Sequence, residues 1–211
     1  MSDSSVVVVG NGESRKKIDL TVLSKPIIGC NAIHRDIITD HLVCCDRRMV
    51  QEAIKNPQTS NSLIYVRLDW YRYFRKTLKY KNIRPLPSIP YQGNGRADRP
   101  IHWGSGSYAI LLAATLGFTS INILGFDLYG VNGRVNNVYK DTENYSASSK
   151  SSVDYSYWIY QISRVFELFP QTQFHVYNTP DWIIPELWMR PNVKKINIGL
   201  VNQLNNNYNN T

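Results

Sequence analysis

Short, mostly apolar runs recur along the chain, each closed by a small or polar residue. Val6–Val9, Ile27–Asn31, Leu42–Cys45, Leu63–Val66, Ile121–Leu124 and Gln173–Tyr177 are the runs. A run of four or five residues without alternation predicts a strand buried on both faces, the pattern of a parallel sheet. Between them lie stretches of helical character. Arg47–Lys55 follows Asp46, Tyr108–Leu116 is rich in Ala and Leu, and Tyr155–Phe169 places Trp158, Ile162, Val165 and Phe169 at helical spacing. Strand and helix in alternation predict an α/β fold with a mostly parallel sheet and helices on both faces. Gln173–Tyr177 reads as the last strand, and Trp182–Trp188 as a short helix or turn.

Three polar or irregular stretches interrupt this pattern. Pro85–Pro100 holds four prolines and two glycines and is excluded from helix and central strand, so a long ordered loop is expected. Gly130–Ser152 is Asn-, Ser- and Gly-rich and predicts a lid loop. Asn202–Thr211 is mostly Asn, has almost nothing to bury, and is expected as a flexible tail after one domain spanning 1–201.

Charge adds a partner class. The 211 residues carry a net charge of +8, which suits an anionic partner such as phosphate, nucleotide, nucleic acid or an acidic surface. The cations concentrate in Arg67–Arg84, where Arg72, Arg75, Lys76 and Lys79 share one face of a predicted helix, with Tyr71, Phe74 and Leu78 turned inward. That face suits a solvated surface, an anionic partner or a subunit contact. Three cysteines, Cys30, Cys44 and Cys45, make neither a disulfide framework nor a metal pattern and read as buried thiols in a reducing compartment. No run is long enough to span a membrane and no signal-peptide pattern is present, so a cytoplasmic location, or a virion if the source is a phage, is expected.

Candidate chemistry gathers at the expected carboxyl edge of the sheet, where open α/β sheets bind ligands. Val6–Val9 leads into Gly10-Asn11-Gly12-Glu13-Ser14, a loop suited to a tight turn or to cradling phosphate, with Gly12 permitting close approach. Asn31 closes the second strand, where its amide can recognise a ligand or fix a turn. Gly104–Tyr129 runs loop, helix, turn, strand, loop. Ser105 or Ser107 is placed to cap the helix, Gly117 to end it, and Asp127 lies just past the strand. His102, just before this unit, is the nearest imidazole by sequence.

Taken together, VVVVGNGES (6–14), IIGCN (27–31) and SGSYAILLAATLGFTSINILGFDLY (105–129) resemble the bacterial sialyltransferases of the Campylobacter lipooligosaccharide type. They also resemble the related domains that include the archaeal 6-hydroxymethylpterin diphosphokinases. The resemblance implies a Rossmann-like fold holding an activated nucleotide. It places Asn11 and Ser14 near phosphate, Asn31 on the nucleotide, Ser105 and Gly106 at the sugar or phosphate, and Gly125, Phe126 and Asp127 at the base and ribose. Tyr129 would reach the leaving phosphate, and Asp127 or His102 would serve as base. Two departures from the pattern stand out. Glu13 replaces a proline, and the lid reads Ser148-Ser149-Lys150 where the sialyltransferases carry a histidine.

The implied function is that of a glycosyltransferase-like protein using a nucleotide sugar as substrate and an unknown acceptor, with no cofactor and no metal. The alternatives are a diphosphokinase-like enzyme with Mg²⁺ on Glu13, Asp127, Asp141 or Glu143, and a non-catalytic assembly or virion protein keeping the fold. The aromatic, basic surface also leaves room for a homo-oligomer or assembly partner.

Overall fold

A computed structural model describes residues 4–23 and 26–208, with 203 and 205–208 as backbone only. Its twelve regular elements are β1 (Ser5–Val9), β2 (Ile27–Cys30), β3 (His41–Cys44), α1 (Arg47–Lys55), β4 (Leu63–Val66), α2 (Leu68–Tyr71), β5 (Ile83–Pro85), α3 (Ser105–Thr115), β6 (Ser120–Leu124), α4 (Ser156–Leu168), β7 (Gln173–Asn178) and β8 (Val193–Asn197). The strands form one eight-stranded sheet in the order β5-β4-β3-β2-β1-β6-β7-β8. Every neighbouring pair is parallel, with Val8 aligned to Ile28 on one side and to Ile123 on the other.

The apolar runs explain this sheet. Because successive side chains point to opposite faces, each run feeds two cores. Val6, Val8, Ile28, Ile121, Ile123 and Val176 pack under α3 and α4 with Phe166, Phe174 and Trp188. Val7, Val9, Ile27, Leu42, Ile64 and Leu124 pack on the other face with Met49, Val50 and Ala53 of α1 and with Phe74. Helix α3 is buried almost all round, from Ser105 to Ala114, which its Ala-rich sequence permits because small side chains let sheet and helix approach. It ends at Gly117, φ +88°, the left-handed position expected there.

Four local expectations are corrected. The last strand is β8, not β7; its sequence VKKIN is that of an edge, with both lysines exposed. The basic segment is no regular helix. After α2 it becomes a π turn over Arg72–Thr77, and Lys79 takes φ +58°. Tyr80 N–H bonds the Phe74 carbonyl at 3.3 Å as the chain turns back to β5, so Arg72, Arg75, Lys76 and Lys79 do not line up on one helical face. Phe74 is buried as expected, but Leu78 is exposed. Neither Ser105 nor Ser107 caps α3. The cap position is Gly104, which offers no side chain, and the Ser105 hydroxyl is engaged elsewhere.

The lid is pinned down. Tyr139 is buried; its hydroxyl donates to Asp36 at 2.6 Å and accepts from Arg15 at 2.8 Å. The Tyr145 hydroxyl accepts from Asn11 Nδ2 at 3.1 Å. At the other end of the chain, Ile198–Tyr208 continues as a 3-10 run in which Val201 is buried and Leu204 packs against the second core; 209–211 lie outside the described residues.

Candidate functional site

Strand order reverses between β1 and β6, so their following loops diverge and leave a crevice at the carboxyl edge. The loops are tied at the bottom. Gly10 N–H donates to the Leu124 carbonyl and Gly12 N–H to the Gly125 carbonyl, both at 2.8 Å. This approach is too close for side chains. A Cβ on Gly10 would lie 2.5 Å from the Gly125 carbonyl oxygen, and one on Gly12 would lie 2.5 Å from Asp127 Cγ.

The crevice opens into a narrow cleft of about 150 Å³, smaller than the roughly 300–1,000 Å³ usual for a small-ligand site. It gathers Asn11, Gly12, Asn31, Ser105, Gly106, Gly125, Phe126 and Asp127 from the sequence-predicted set. Ser14 and Tyr129 do not line it. They face an adjoining cleft of about 630 Å³, which shares Asp127 and Asn136 with the first. His102 faces neither cleft. It ends the 3-10 turn Pro100–His102 just past the Pro-rich loop, where its Nε2 accepts from Arg96 at 3.3 Å and its ring meets Tyr157 edge-on.

Helix α3 points its N-terminus into the cleft with no side-chain cap, leaving the first-turn N–H groups facing the cavity, and Gly106 in that turn keeps the approach open. A Cβ on Gly106 would sit 2.9 Å from the Phe126 ring, and one on Gly104 would sit 2.8 Å from Trp158 Nε1. The Ser105 hydroxyl donates to Asn31 Oδ1 at 2.8 Å and accepts from Cys45 N–H at 3.0 Å. Asn31 itself takes φ +50°. Its carbonyl accepts from His34 Nδ1 at 2.9 Å, which fixes the turn. The turn-forming reading of Asn31 holds, and the residue also lines the cleft.

Asp127 is buried at the floor. Oδ2 accepts from Ser14 N–H at 2.9 Å; Oδ1 accepts from the Ser14 hydroxyl and from Asn178 Nδ2 at 3.3 Å. The carboxylate thereby holds the first loop to the ends of β6 and β7. Glu13, the departure from the family pattern, forms an ion pair with Lys140 of the lid at 2.5 Å, and its N–H donates to Asn136 Oδ1 at 2.8 Å. Paired in this way, it puts no free negative charge beside the loop. Asp141 accepts from Ser148 N–H at 2.7 Å. Among the described residues no three His, Cys, Asp or Glu side chains gather as a metal-holding group.

Several cleft residues were not singled out in the sequence. Tyr155, Trp158 and Ile162 come from the first turns of α4, whose pattern signalled only packing. Asn136 and Asn137 come from the lid, where composition showed a loop without marking positions. Burial raises the proton affinity of the Tyr155 and Tyr129 phenolates, keeping both hydroxyls protonated as donors.

No family model and no curated protein matches the sequence. Solved structures do. Cst-I, a monofunctional α-2,3-sialyltransferase from Campylobacter jejuni, superposes with a TM-score of 0.58 over 85% of this chain and 77% of its own, at 15% identity. The chain shares the fold of Cst-I. Campylobacter jejuni CstII with cytidine-5'-monophosphate superposes at 0.48 and 16% identity, covering 85% and 82%, and CstII with a trisaccharide acceptor and CMP at 0.49 and 15%, with the same coverage. Among the described residues no helix is long and apolar enough to cross a membrane.

Proposed function

We propose that this chain is a glycosyltransferase-like protein that binds a nucleotide-activated sugar in the cleft between the β1 and β6 loops. The observation that carries the reading is the uncapped N-terminus of α3 facing a cleft walled by Gly10, Gly12, Gly104 and Gly106, on the fold of a sialyltransferase. The N–H groups of Gly106 and Ser107 would receive phosphate oxygens, helped by the helix dipole. Asn11 Oδ1 is buried without a partner, and the Asn31 amide nitrogen has no hydrogen bond among the described residues; the pair offers one acceptor and one donor to a base or ribose. Phe126 and Trp158 supply the apolar wall. Tyr129, protonated on the adjoining cleft, is placed to donate to a leaving phosphate or to the incoming acceptor.

Transfer needs a group to take the proton of the acceptor hydroxyl. Asp127 is the one carboxylate lining the cleft among the described residues, and it already accepts three hydrogen bonds; no imidazole lines the cleft. This favours a second reading, a fold kept for binding without turnover. Calorimetry with CMP, CDP, UDP and ATP, followed by release of CMP from CMP-sialic acid, tests both. Binding of a nucleotide with turnover supports the first reading, binding without turnover supports the second, and no binding to any of the four overturns both.

A further inference from the structure

The basic segment is left unused by the cleft. Between 67 and 84 the chain carries seven Lys and Arg against a single acid, Asp69. Asp69 is taken by Arg67, at 2.8 Å. Among the described residues Arg72, Lys76, Lys79 and Lys81 have no ion-pair partner. Four large apolar side chains stand in solvent among these cations, namely Leu68 (52% exposed), Leu78 (46%), Tyr73 (38%) and Tyr80 (37%). Meanwhile Phe74, fully buried, anchors the segment to the core. Exposed aliphatic groups interspersed along the chain with unpaired cations, on a segment anchored to the core by Phe74, have the composition of an amphipathic interface.

We infer that Leu68–Arg84 docks on an anionic lipid bilayer surface, Leu68 and Leu78 entering the headgroup layer while Arg72, Lys76, Lys79 and Lys81 meet lipid phosphates. Nucleic acid fits the patch less well. The Trp70 ring already carries Arg47 at 5.7 Å and Arg67 at 5.4 Å, and the Tyr73 ring lies between Arg47 at 5.1 Å and the edge of Phe74. Those rings already hold guanidinium partners where bases would stack. Strand addition to β5 is also disfavoured, since this edge strand is three residues long and ends in Pro85. All strands are parallel, so α2 starts at the same carboxyl edge on which the cleft opens, and docking there would bring that edge to the membrane.

The test is co-sedimentation of the full chain with vesicles of phosphatidylcholine alone and of phosphatidylcholine mixed with phosphatidylglycerol, at low and high salt. The expected result is binding to the anionic vesicles only, weakening as salt rises. Removing three charges in Arg72→Gln/Lys76→Gln/Lys79→Gln should lower partitioning about a hundredfold. Leu68→Ser/Leu78→Ser should lower it about tenfold and remove whatever binding persists at high salt. All five positions are exposed, and an unchanged melting temperature confirms that each variant is folded; the salt response of the unmodified chain gives an independent reading. Equal binding to both vesicle types, undiminished binding of the triple variant, or retention of a single-stranded oligonucleotide without vesicle binding would overturn the inference.

Discussion

Gly12→Ala isolates what the floor of the cleft requires. Gly12 has φ −64° and ψ 148°, a conformation alanine adopts freely, so backbone strain plays no part. The penalty is steric. The three atoms nearest the new methyl are Asp127 Cγ, Oδ1 and Oδ2, at 2.5, 2.6 and 2.7 Å. The carboxylate must swing away, and doing so breaks at least its two bonds from Ser14. Hydrogen bonds to a charged group contribute about 1.5–3 kcal/mol each, so the substitution should cost about 3–6 kcal/mol. For a chain of this size that corresponds to a fall in Tm of about 6–24 °C. Thermal and denaturant unfolding read the cost, and a double-mutant cycle identifies its source. In an Asp127→Ala background the obstructing atoms are gone, and Gly12→Ala should cost less than about 1 kcal/mol. An equal penalty in both backgrounds would refute the steric argument, as would a loss below about 1 kcal/mol in the unmodified chain.

Acidification should weaken the fold before the carboxylates titrate. Burial lowers the proton affinity of His41 and of His175, where Lys194 adds to the effect, so below about pH 6.5 the unfolded chain binds protons that the folded chain refuses. Stability should be flat above this window and fall within it, and His41→Gln/His175→Gln should flatten the fall in urea titrations between pH 7.5 and 5.5; an unchanged slope would count against it. The native thiols should resist Ellman's reagent until denaturant is added, because Cys30 and Cys44 are buried and burial pushes Cys45 up to about 12. Rapid native labelling at any of the three would contradict their placement. Tyr145→Phe leaves the donors Asn11 Nδ2 and Ala32 N–H unmatched, at about 1–3 kcal/mol, and should speed proteolysis within 130–152; an unchanged cleavage rate would show that the lid is held by its other contacts.

How much of this was legible follows from where each signal is stored. The central strands were readable because a parallel strand is buried on both faces and must be an apolar run; VVVV, IIGC and INIL leave little choice. β8 was not, because an edge strand needs only half its side chains, and Lys194 and Lys195 gave VKKIN the look of a loop. The π turn at Arg72–Thr77 escaped because the i, i+3, i+4, i+7 spacing presumes an α-helix, whereas the path is set by Phe74 in the core and the return to β5. Tyr139 is buried and Tyr145 half-buried in a polar lid without any periodicity to announce them. Ser105 looked like a cap by position, yet its hydroxyl is held by Asn31 and Cys45, 74 and 60 residues away. Contacts of that range leave no local pattern.

The site divides in the same way. Its glycines and its place at the sheet edge could be read locally, but the neighbours that require Gly10 and Gly12, namely Gly125 and Asp127, could not. Nor could the role of Asp127. A carboxylate just past a strand suggests chemistry when only its neighbours in sequence are known. In the fold it meets Ser14 from 113 positions away and Asn178 from 51, and becomes the bolt that fastens the β1 loop against β6 and β7. Gly12 is the counterpart of that bolt, since any side chain there would displace it. The two residues therefore act as one device that shapes the cleft. The proposed binding would then rest on Gly12, Asp127 and the α3 terminus, whereas transfer would need a proton acceptor other than the carboxylate that holds them together.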